Sequence, residues 1–188
     1  SLRFFYFQKG DRKKSNVTTC KYRKEDKWSN IIKAIIAGFT ECGFPCKGLN
    51  ITLWTDIQPN KGLGNTTAIK VATALMIKSL FYPKCSETTL LQAIERGNKY
   101  FLGVENYIAD IYTCLFSEKN SCLLTDHRRN THSSIPFKFS DYTILLTDAK
   151  VSYDSVWEQE QIQQEELFLL MAELKRKEDI KAAKEKEK

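Results

Sequence analysis

The stretch at residues 59–68, P-N-K-G-L-G-N-T-T-A, combines residue types that can hold a phosphate group. Gly62 and Gly64 would let the backbone approach a ligand closely, and the first N–H groups of a following helix are unpaired and favour an anion. Thr66 or Thr67 could offer a hydroxyl to a Mg2+ ion. The stretch is not a P-loop, because its lysine precedes the glycines. On spacing alone, a structural turn with a threonine-rich helix cap is the simpler explanation.

Hydrophobic periodicity predicts the elements on either side of this loop. Apolar and polar residues alternate over 49–54, which predicts a strand before the loop. Apolar residues recur at helical spacing over 65–81, which predicts a helix after it. Earlier in the chain the sequence predicts two strands, near 3–8 and 16–22, and a helix that starts at Trp28 and stops before Gly43.

Beyond the loop the pattern predicts two more helices and then strands. The first of these helices begins after Ser86, a good N-cap, and runs toward Tyr100. The second is expected from Asn106 to Phe116. Three short strands fit S-C-L-L-T-D, S-I-P-F-K-F and Y-T-I-L-L-T-D. Strands, packed helices and further strands together predict a two-layer α+β domain.

The last part of the sequence differs in composition from the rest. Ser155 and Glu158 have the spacing of a helix capping box, and apolar residues recur at helical spacing after them. The sequence therefore predicts a domain at 1–153 and one long charged helix at 154–188. That helix is either the start of a further domain or a dimerisation arm, and the oligomeric state stays open.

Composition narrows the class of protein. With 188 residues, 42% of them hydrophobic, the chain can form one ordinary core. The net charge is +6, of which residues 158–188 contribute −2 and the rest +8. The positive residues form short scattered clusters without interleaved aromatics, so a solvated surface and no nucleic-acid partner are expected. No apolar run approaches the roughly 20 residues that cross a bilayer, and no signal peptide begins the chain. We expect a cytoplasmic protein without a membrane partner.

Six cysteines raise the question of the redox environment. Three N-x-T sequons, at Asn16, Asn50 and Asn65, are compatible with a secreted glycoprotein. Cysteines this sparse, set among apolar neighbours, instead favour reduced buried thiols in a cytosolic protein. Cys42 and Cys46 could suggest a metal pair, but no second pair or nearby histidine completes a tetrahedral set. A thiolate metal site is not expected.

Several ordered segments resemble the galactokinases, a branch of the GHMP small-molecule kinases. G-L-G-N-T-T-A is similar to their phosphate-binding motif, usually written P-x-x-x-G-L-[GS]-S-S-A-A, and K-W-S-N-I-I-K-A resembles their W-x-N-Y-x-K-G helix. F-L-G-V-E-N-Y-I-A-D-I-Y-T-C-L-F resembles F-x-G-V-x-x-G-I-M-D-Q-M-A-S-L-F without a gap. C-L-L-T-D-H-R-R and L-L-T-D-A-K-V-S lie where galactokinases have L-L-L-D-C-R-S and D-S-G-V-K-H-S. The resemblance spans residues 28–152.

The resemblance implies roles for specific residues. Asp110 falls on the catalytic aspartate, which lies beside the sugar hydroxyl that attacks the γ-phosphate of ATP. Without the resemblance, Asp110 would be a polar residue on an exposed helix face. Thr66 falls on a motif serine and is the candidate Mg2+ ligand. The residues implied to contact phosphate are Gly62, Leu63, Gly64, Asn65, Thr66 and Thr67.

The resemblance also implies a fold and an activity. The fold is the GHMP kinase N-terminal domain, and the activity is ATP- and Mg2+-dependent phosphorylation of the anomeric hydroxyl of galactose. Galactokinases also have a first strand with G-R-V-N-L-I-G-E-H-T-D-Y and a carboxy-terminal domain, and the sequence matches neither. We therefore expect a piece of a longer kinase that is inactive, or nearly so, by itself.

Three departures from the galactokinase pattern support an alternative. The loop before Gly62 is one residue shorter, Tyr107 stands where galactokinases have glycine, and Ile111 replaces a glutamine. Tyr107 and the altered loop, together with the long charged helix after Asp154, suit a non-catalytic homologue that senses sugar or nucleotide and acts through a protein partner. A structural domain without a ligand is a third alternative.

Overall fold

The computed structural model describes residues 1–59, 62–104, 108–126, 128–129, 131–137, 142–148 and 170–177. The chain divides into two units, residues 1–143 and 144–188. The first unit combines helices and strands, which confirms the predicted α+β class. The predicted domain boundary at residue 153 stays a prediction.

Three strands of the first unit form a mixed sheet. β1 is Leu2–Tyr6, β2 is Asp11–Ser15 and β3 is Leu49–Leu53, in the order β2-β1-β3. β1 pairs antiparallel with β2 and parallel with β3. Every second side chain of β1 is buried, whereas those between are more exposed. This period of two gives the sheet one covered face and one open face.

The described residues contain four longer α-helices in the first unit: α1 Ser29–Glu41, α2 Asn65–Phe81, α3 Glu87–Arg96 and α4 Ile108–Phe116. α1 packs against α2 and α3, and α2 packs against α3 and α4. Ser86 caps α3 as predicted, because its hydroxyl oxygen accepts a hydrogen bond from the Thr89 N–H at 3.1 Å. One apolar cluster joins β1 to the helices, and its largest fully buried side chains are Leu2, Ile32, Ile35, Ile36, Phe39, Ile77, Leu90 and Ile94.

Two glycines allow α1 and α3 to approach each other closely. A Cβ at Gly38 would lie 1.9 Å from the Ala93 carbonyl oxygen, and a Cβ at Gly97 would lie 2.4 Å from the Ala34 carbonyl oxygen. Beyond α3 the chain continues as one π-helical segment, Gly97–Leu102. Such segments are rare and are frequently found near functional sites.

An antiparallel hairpin follows α4. It consists of β4, Ser121–Asp126, and β5, Thr131–Pro136. The imidazole of His132 stacks on the Phe116 ring with 4.1 Å between the ring centroids. This stack fastens the hairpin to the end of α4.

The predicted strand at 16–22 is wrong, because the second strand is β2, Asp11–Ser15. Gly10 adopts a left-handed φ of 59°, so the chain reverses directly after β1 and its next residues pair with that strand. The helix expected to reach Tyr100 ends as an α-helix at Arg96 and continues as the π-helical segment.

Three further predictions differ from the structure or fall partly outside it. β5 begins at Thr131, earlier than the S-I-P-F-K-F strand that was predicted, and residues 142–148 form no strand. Residues 170–177 are helical, as expected for the long terminal helix, whereas Ser155 and Glu158 lie outside the described residues. Tyr107 lies outside them as well. Within the described part of the chain, no helix has the length and apolar character needed to span a membrane.

Candidate phosphate-binding site

The loop between β3 and α2 forms an open cradle. Gly62 and Gly64 adopt left-handed φ values of 70° and 71°, which residues with side chains rarely adopt. A Cβ at either glycine would meet nothing within 4 Å, so the space beside the backbone is open. Gly64 is the N-cap of α2 and supplies no side-chain hydrogen bond. The first N–H groups of α2 are therefore left without a capping side chain.

Hydrogen bonds tie the two ends of this loop together. The Thr55 hydroxyl donates to Asn65 Oδ1 at 3.0 Å and accepts from the Ile57 N–H at 3.1 Å. The side-chain amide of Gln8 donates to the Thr55 carbonyl oxygen, which connects the start of the loop to the turn after β1. Because Oδ1 of Asn65 is engaged, the Nδ2 group is the part of this side chain that can donate to an anion.

The six residues predicted to contact phosphate form one continuous segment, 62–67, across the loop and the first turn of α2. Thr66 is exposed, whereas Asn65 and Thr67 are half-buried. The Leu63 side chain is 45% exposed, so the loop is open to solvent on that side too. The Thr66 hydroxyl is therefore accessible to a ligand at the start of the helix.

Asp110 lies in the first turn of α4, and its side chain is exposed. Among the described residues its carboxylate has no hydrogen-bond or ion-pair partner. Desolvation, and after it the charge of Asp110, raises the pKa of the Cys114 thiol one turn further along α4. α4 packs against α2, and residues 62–67 form the end of the loop and the first turn of α2. In the described structure no hydrogen bond joins Asp110 to that segment.

Polar contacts hold the start of α1 in place. The Trp28 indole N–H donates to Asp11 Oδ2 at 2.8 Å, and this hydrogen bond is the main cause of the lowered pKa of Asp11. The side-chain amide of Asn30 donates to the Arg23 carbonyl oxygen at 2.7 Å. The tryptophan and asparagine of W-S-N-I-I-K thus connect α1 to β2 and to the loop before the helix.

Lys33, the lysine of the same segment, is fully buried. Its Nζ donates to Asp26 Oδ2 at 2.7 Å and to Asn30 Oδ1 at 3.1 Å. It also lies 5.7 Å from the centroid of the Phe101 ring in the π-helical segment. A buried ammonium needs such partners, because desolvation of an unpaired charge is very unfavourable. Lys33 therefore connects α1 with the turn before it and with the segment that precedes α4.

Lys70 in α2 is buried without a partner of this kind. Its exposed fraction is 8%, and it forms no hydrogen bond or ion pair with any described side chain. Burial lowers the pKa of its ammonium from 10.5 to about 8. Helical periodicity marks the apolar face of α2 but does not reveal a lysine buried beside it.

Comparison with known proteins tests the family resemblance drawn from the sequence. The GHMP kinases N terminal domain matches residues 30–118, which include the loop and the three helices α2, α3 and α4. A protein of Treponema pallidum, provisionally assigned as a galactokinase, is 36% identical over 151 residues. Residues 30–118 of this chain form a GHMP kinase N-terminal domain. The resemblance drawn from the sequence motifs is confirmed at the level of the family.

A second relative is the galactokinase of Thermotoga maritima, which is 27% identical over 134 residues. The Treponema match covers 80% of this chain and the Thermotoga match covers 71%. Each of them covers 38% of the length of the relative. The chain thus spans well under half the length of these curated relatives.

The fold of this GHMP kinase domain also has a solved counterpart. The galactokinase of Lactococcus lactis, crystallised with galactose, matches it with a TM-score of 0.67. The match covers 79% of this chain and 42% of the other, at 17% sequence identity. At this identity the likeness concerns the fold, and together with the family match at residues 30–118 it confirms the predicted fold of a GHMP kinase N-terminal domain.

Sequence reasoning missed several residues that shape the site. Thr55 closes the loop through its hydroxyl, and Asp26 is the buried partner of Lys33. Neither position belongs to a periodic pattern or to a motif quoted from the sequence. A threonine just after a strand is a weak signal by itself, because its partner Asn65 is ten residues away.

Proposed function

We propose that this domain belongs to an ATP- and Mg2+-dependent sugar kinase of the galactokinase type. Such a kinase transfers the γ-phosphoryl group of ATP to the anomeric hydroxyl of galactose or a related sugar. The observation that carries the proposal is the open glycine cradle at the uncapped start of α2, inside a GHMP kinase N-terminal domain. The cytoplasm is the compartment that supplies ATP to such an enzyme.

In this proposal the segment 62–67 holds the phosphate groups. Phosphoryl transfer needs mainly positioning of the reactants and stabilisation of charge. Backbone N–H groups at the start of α2 and the Asn65 amide group would donate to phosphate oxygens, aided by the helix dipole. The Thr55–Asn65 hydrogen bond stabilises the loop before the ligand binds, which reduces the entropy lost on binding.

Asp110 is the proposed catalytic residue. Its exposed carboxylate is available to the hydroxyl group of a sugar. It would accept the hydroxyl proton or orient the oxygen for attack on the γ-phosphorus, and the bond from that phosphorus to the β,γ-bridging oxygen breaks as the new one forms. ADP and a sugar phosphate are the products.

Thr66 is the proposed protein ligand of Mg2+, which prefers hard oxygen ligands and usually retains water and phosphate oxygens. The hydroxyl is exposed at the start of α2, next to the proposed phosphate positions, so it fits as one ligand. Across the described residues no group of three or more His, Cys, Asp or Glu side chains could hold a metal. The other ligands in this proposal are phosphate oxygens and water, and the bound ion neutralises phosphate charge.

A non-catalytic sensor of sugar or nucleotide is the alternative function. Ile111, which follows Asp110, is 4% exposed and packs in the apolar core. The position after the proposed catalytic aspartate therefore offers no polar side chain to a substrate. A sensor would bind ATP or galactose without turnover and would act through a protein partner.

ATP turnover with a panel of sugars tests the proposal. The full-length protein that contains this domain would be compared with its Asp110→Asn and Asp110→Ala variants. The matched control is Glu95→Gln, at an exposed position of α3. We expect galactose-dependent turnover that falls by about 10²–10⁴ in both Asp110 variants and stays unchanged in the control. Unchanged turnover in Asp110→Asn would refute the role of Asp110, and saturable binding without turnover of any sugar would favour the sensor.

We further propose that residues 154–188 lead into the remainder of the kinase, so that this chain holds only part of the active site. The 188-residue chain is then expected to phosphorylate no sugar by itself. If this chain alone phosphorylated a sugar and the Asp110→Asn variant did not, that expectation would be wrong. The same result would still support the kinase assignment.

A further inference from the structure

The face of the three-stranded sheet that is turned away from the core forms a shallow open groove of about 490 Å3. We call this surface the open face, and its outward side chains are Arg3, Phe5, Arg12, Lys14, Asn50 and Thr52. Three of these six side chains are cationic and none is acidic. The open face is therefore a positively charged surface on the three-stranded sheet.

The charges of the open face have no counter-charge within the described chain. Arg3 lies directly opposite Lys14 in the β1–β2 pairing, an arrangement that is destabilising for like charges. Neither of them, nor Arg12, forms an ion pair with a described residue. The acidic residue of β2, Asp11, forms an ion pair of 3.7 Å with Lys13, which alternates to the other side of the strand. A bound anion would relieve this repulsion.

An aromatic ring lies among these cations. The guanidinium carbon of Arg12 is 5.3 Å from the centroid of the Phe5 ring, which lies opposite it on β1. A guanidinium held over a ring presents a flat cationic surface on which a nucleobase can stack. The sequence shows no aromatic interleaved with the basic residues of 12–14, because the ring comes from the neighbouring strand. The sheet register supplies that combination.

Polar side chains complete the surface on β3. Asn50 lies opposite Arg3, and Thr52 lies opposite Phe5. Amide and hydroxyl groups are suited to the edges of bases and to sugar hydroxyls. Neighbouring strands are about 4.8 Å apart and alternate residues about 6.7 Å apart, so cations, stacking surface and polar groups lie within the reach of one or two nucleotides.

We propose that the open face binds single-stranded nucleic acid. Arg3 and Lys14 contact phosphates, Arg12 on Phe5 provides the stacking surface, and Asn50 provides a hydrogen-bonding amide. An acidic peptide would use the cations but would leave the stacked pair and the amide without a role. Because the groove is open and its contacts are screened by salt, binding depends on the phosphate, stacking and amide contacts acting together.

Fluorescence anisotropy with this chain and labelled oligonucleotides tests the proposal. Mixed-sequence RNA and DNA strands of roughly 12 nucleotides would be titrated at about 50 mM and about 200 mM salt. The test variant is Arg3→Gln/Arg12→Gln/Lys14→Gln. The matched control, Lys47→Gln/Lys84→Gln/Lys119→Gln, removes the same charge from exposed positions elsewhere. Circular dichroism checks that both variants remain folded.

We expect the dissociation constant of the open-face variant to rise at least about tenfold and that of the control to change less than about twofold. In the open-face variant the slope of log affinity against log salt should fall by the amount that about two phosphate contacts contribute. Phe5→Leu should weaken binding about fivefold or more without altering the salt dependence, because it removes stacking and no charge. Equal weakening in the two triple variants would overturn the proposal. Displacement of the oligonucleotide by polyglutamate at an equal concentration of charge would also overturn it. The same holds if the unaltered chain binds no oligonucleotide at the lower salt concentration.

Discussion

Lys33 Nζ lies 2.7 Å from Asp26 Oδ2, with the lysine side chain 1% exposed and the aspartate side chain 12% exposed. The pair connects α1 to the turn before it, and the ring of Phe101 in the π-helical segment lies against the same ammonium. The turn, α1 and the π-helical segment some 60 residues further along the chain therefore meet at one buried charge pair. The same arrangement gives the lysine of the W-S-N-I-I-K segment a structural role.

Removal of one partner of this pair should destabilise the domain strongly. In Lys33→Met the Asp26 carboxylate is left buried without its cation, and we expect the free energy of unfolding to fall by about 3–5 kcal/mol. Urea denaturation at 25 °C measures the change. In Asp26→Asn/Lys33→Met neither member of the pair is charged. The free energy of unfolding should therefore fall by less in the double variant than the sum of the losses in the two single variants. Additive losses would show that the pair is not coupled.

The close approach of α1 and α3 should reverse the usual effect of a helix substitution. Glycine to alanine inside a helix normally stabilises by about 1 kcal/mol. In Gly38→Ala the new Cβ would lie 1.9 Å from the Ala93 carbonyl oxygen, so the helices must separate and the free energy of unfolding should fall by about 1–3 kcal/mol or more.

Ala72→Gly on the exposed side of α2 calibrates the propensity effect in the same protein. This substitution should lower the free energy of unfolding by about 1 kcal/mol and leave the core packing intact. Thermal or urea unfolding of both variants gives the comparison. Stabilisation by Gly38→Ala would mean that α1 and α3 are further apart than described.

Lys70 should make stability depend on pH in the alkaline range. Its folded pKa of about 8 lies below the value of 10.5 expected for the unfolded chain, so the unfolded chain binds more protons between these values. The free energy of unfolding therefore rises as pH increases from about 8 to 10.5, and the full penalty is present below pH 8.

Lys70→Met should remove this penalty and stabilise the domain by about 1–3 kcal/mol at neutral pH. The gain should shrink toward pH 10, and urea denaturation at several pH values measures it. Lys84→Met, at an exposed position, is the control and should show neither effect. A constant difference between Lys70→Met and the unaltered protein across this pH range would contradict the assigned burial.

Local periodicity was sufficient to predict the elements that carry the candidate site. β3, α1 and α2 each have a side-chain pattern of their own, with a glycine or proline boundary that a single sequence displays. The predicted loop between β3 and α2 was confirmed in position for the same reason. Its function could be read only by resemblance, because purely structural turns also place glycines at positive φ.

Tertiary contacts determined what the sequence could not show. β2 forms at 11–15 because Gly10 turns the chain back onto β1, although charged residues dominate that stretch. The π-helical segment after α3 lies where Gly97 packs against the Ala34 carbonyl oxygen of α1. Partners such as Thr55 and Asn65 meet across a loop, and single-sequence patterns do not encode such pairs.

The phosphate cradle at the start of α2 is the element on which the sugar-kinase proposal depends. The most direct test is NMR titration of the 15N-labelled chain with ADP, with and without Mg2+, up to about 10 mM, where dissociation constants near 1 mM are measurable. We expect saturable shifts centred on residues 62–67. Thr66→Val, which keeps the side-chain shape, should weaken the Mg2+-dependent part of binding and leave binding of ADP alone unchanged. Saturable shifts located elsewhere, or no shifts at 62–67 over the whole range, would contradict the account.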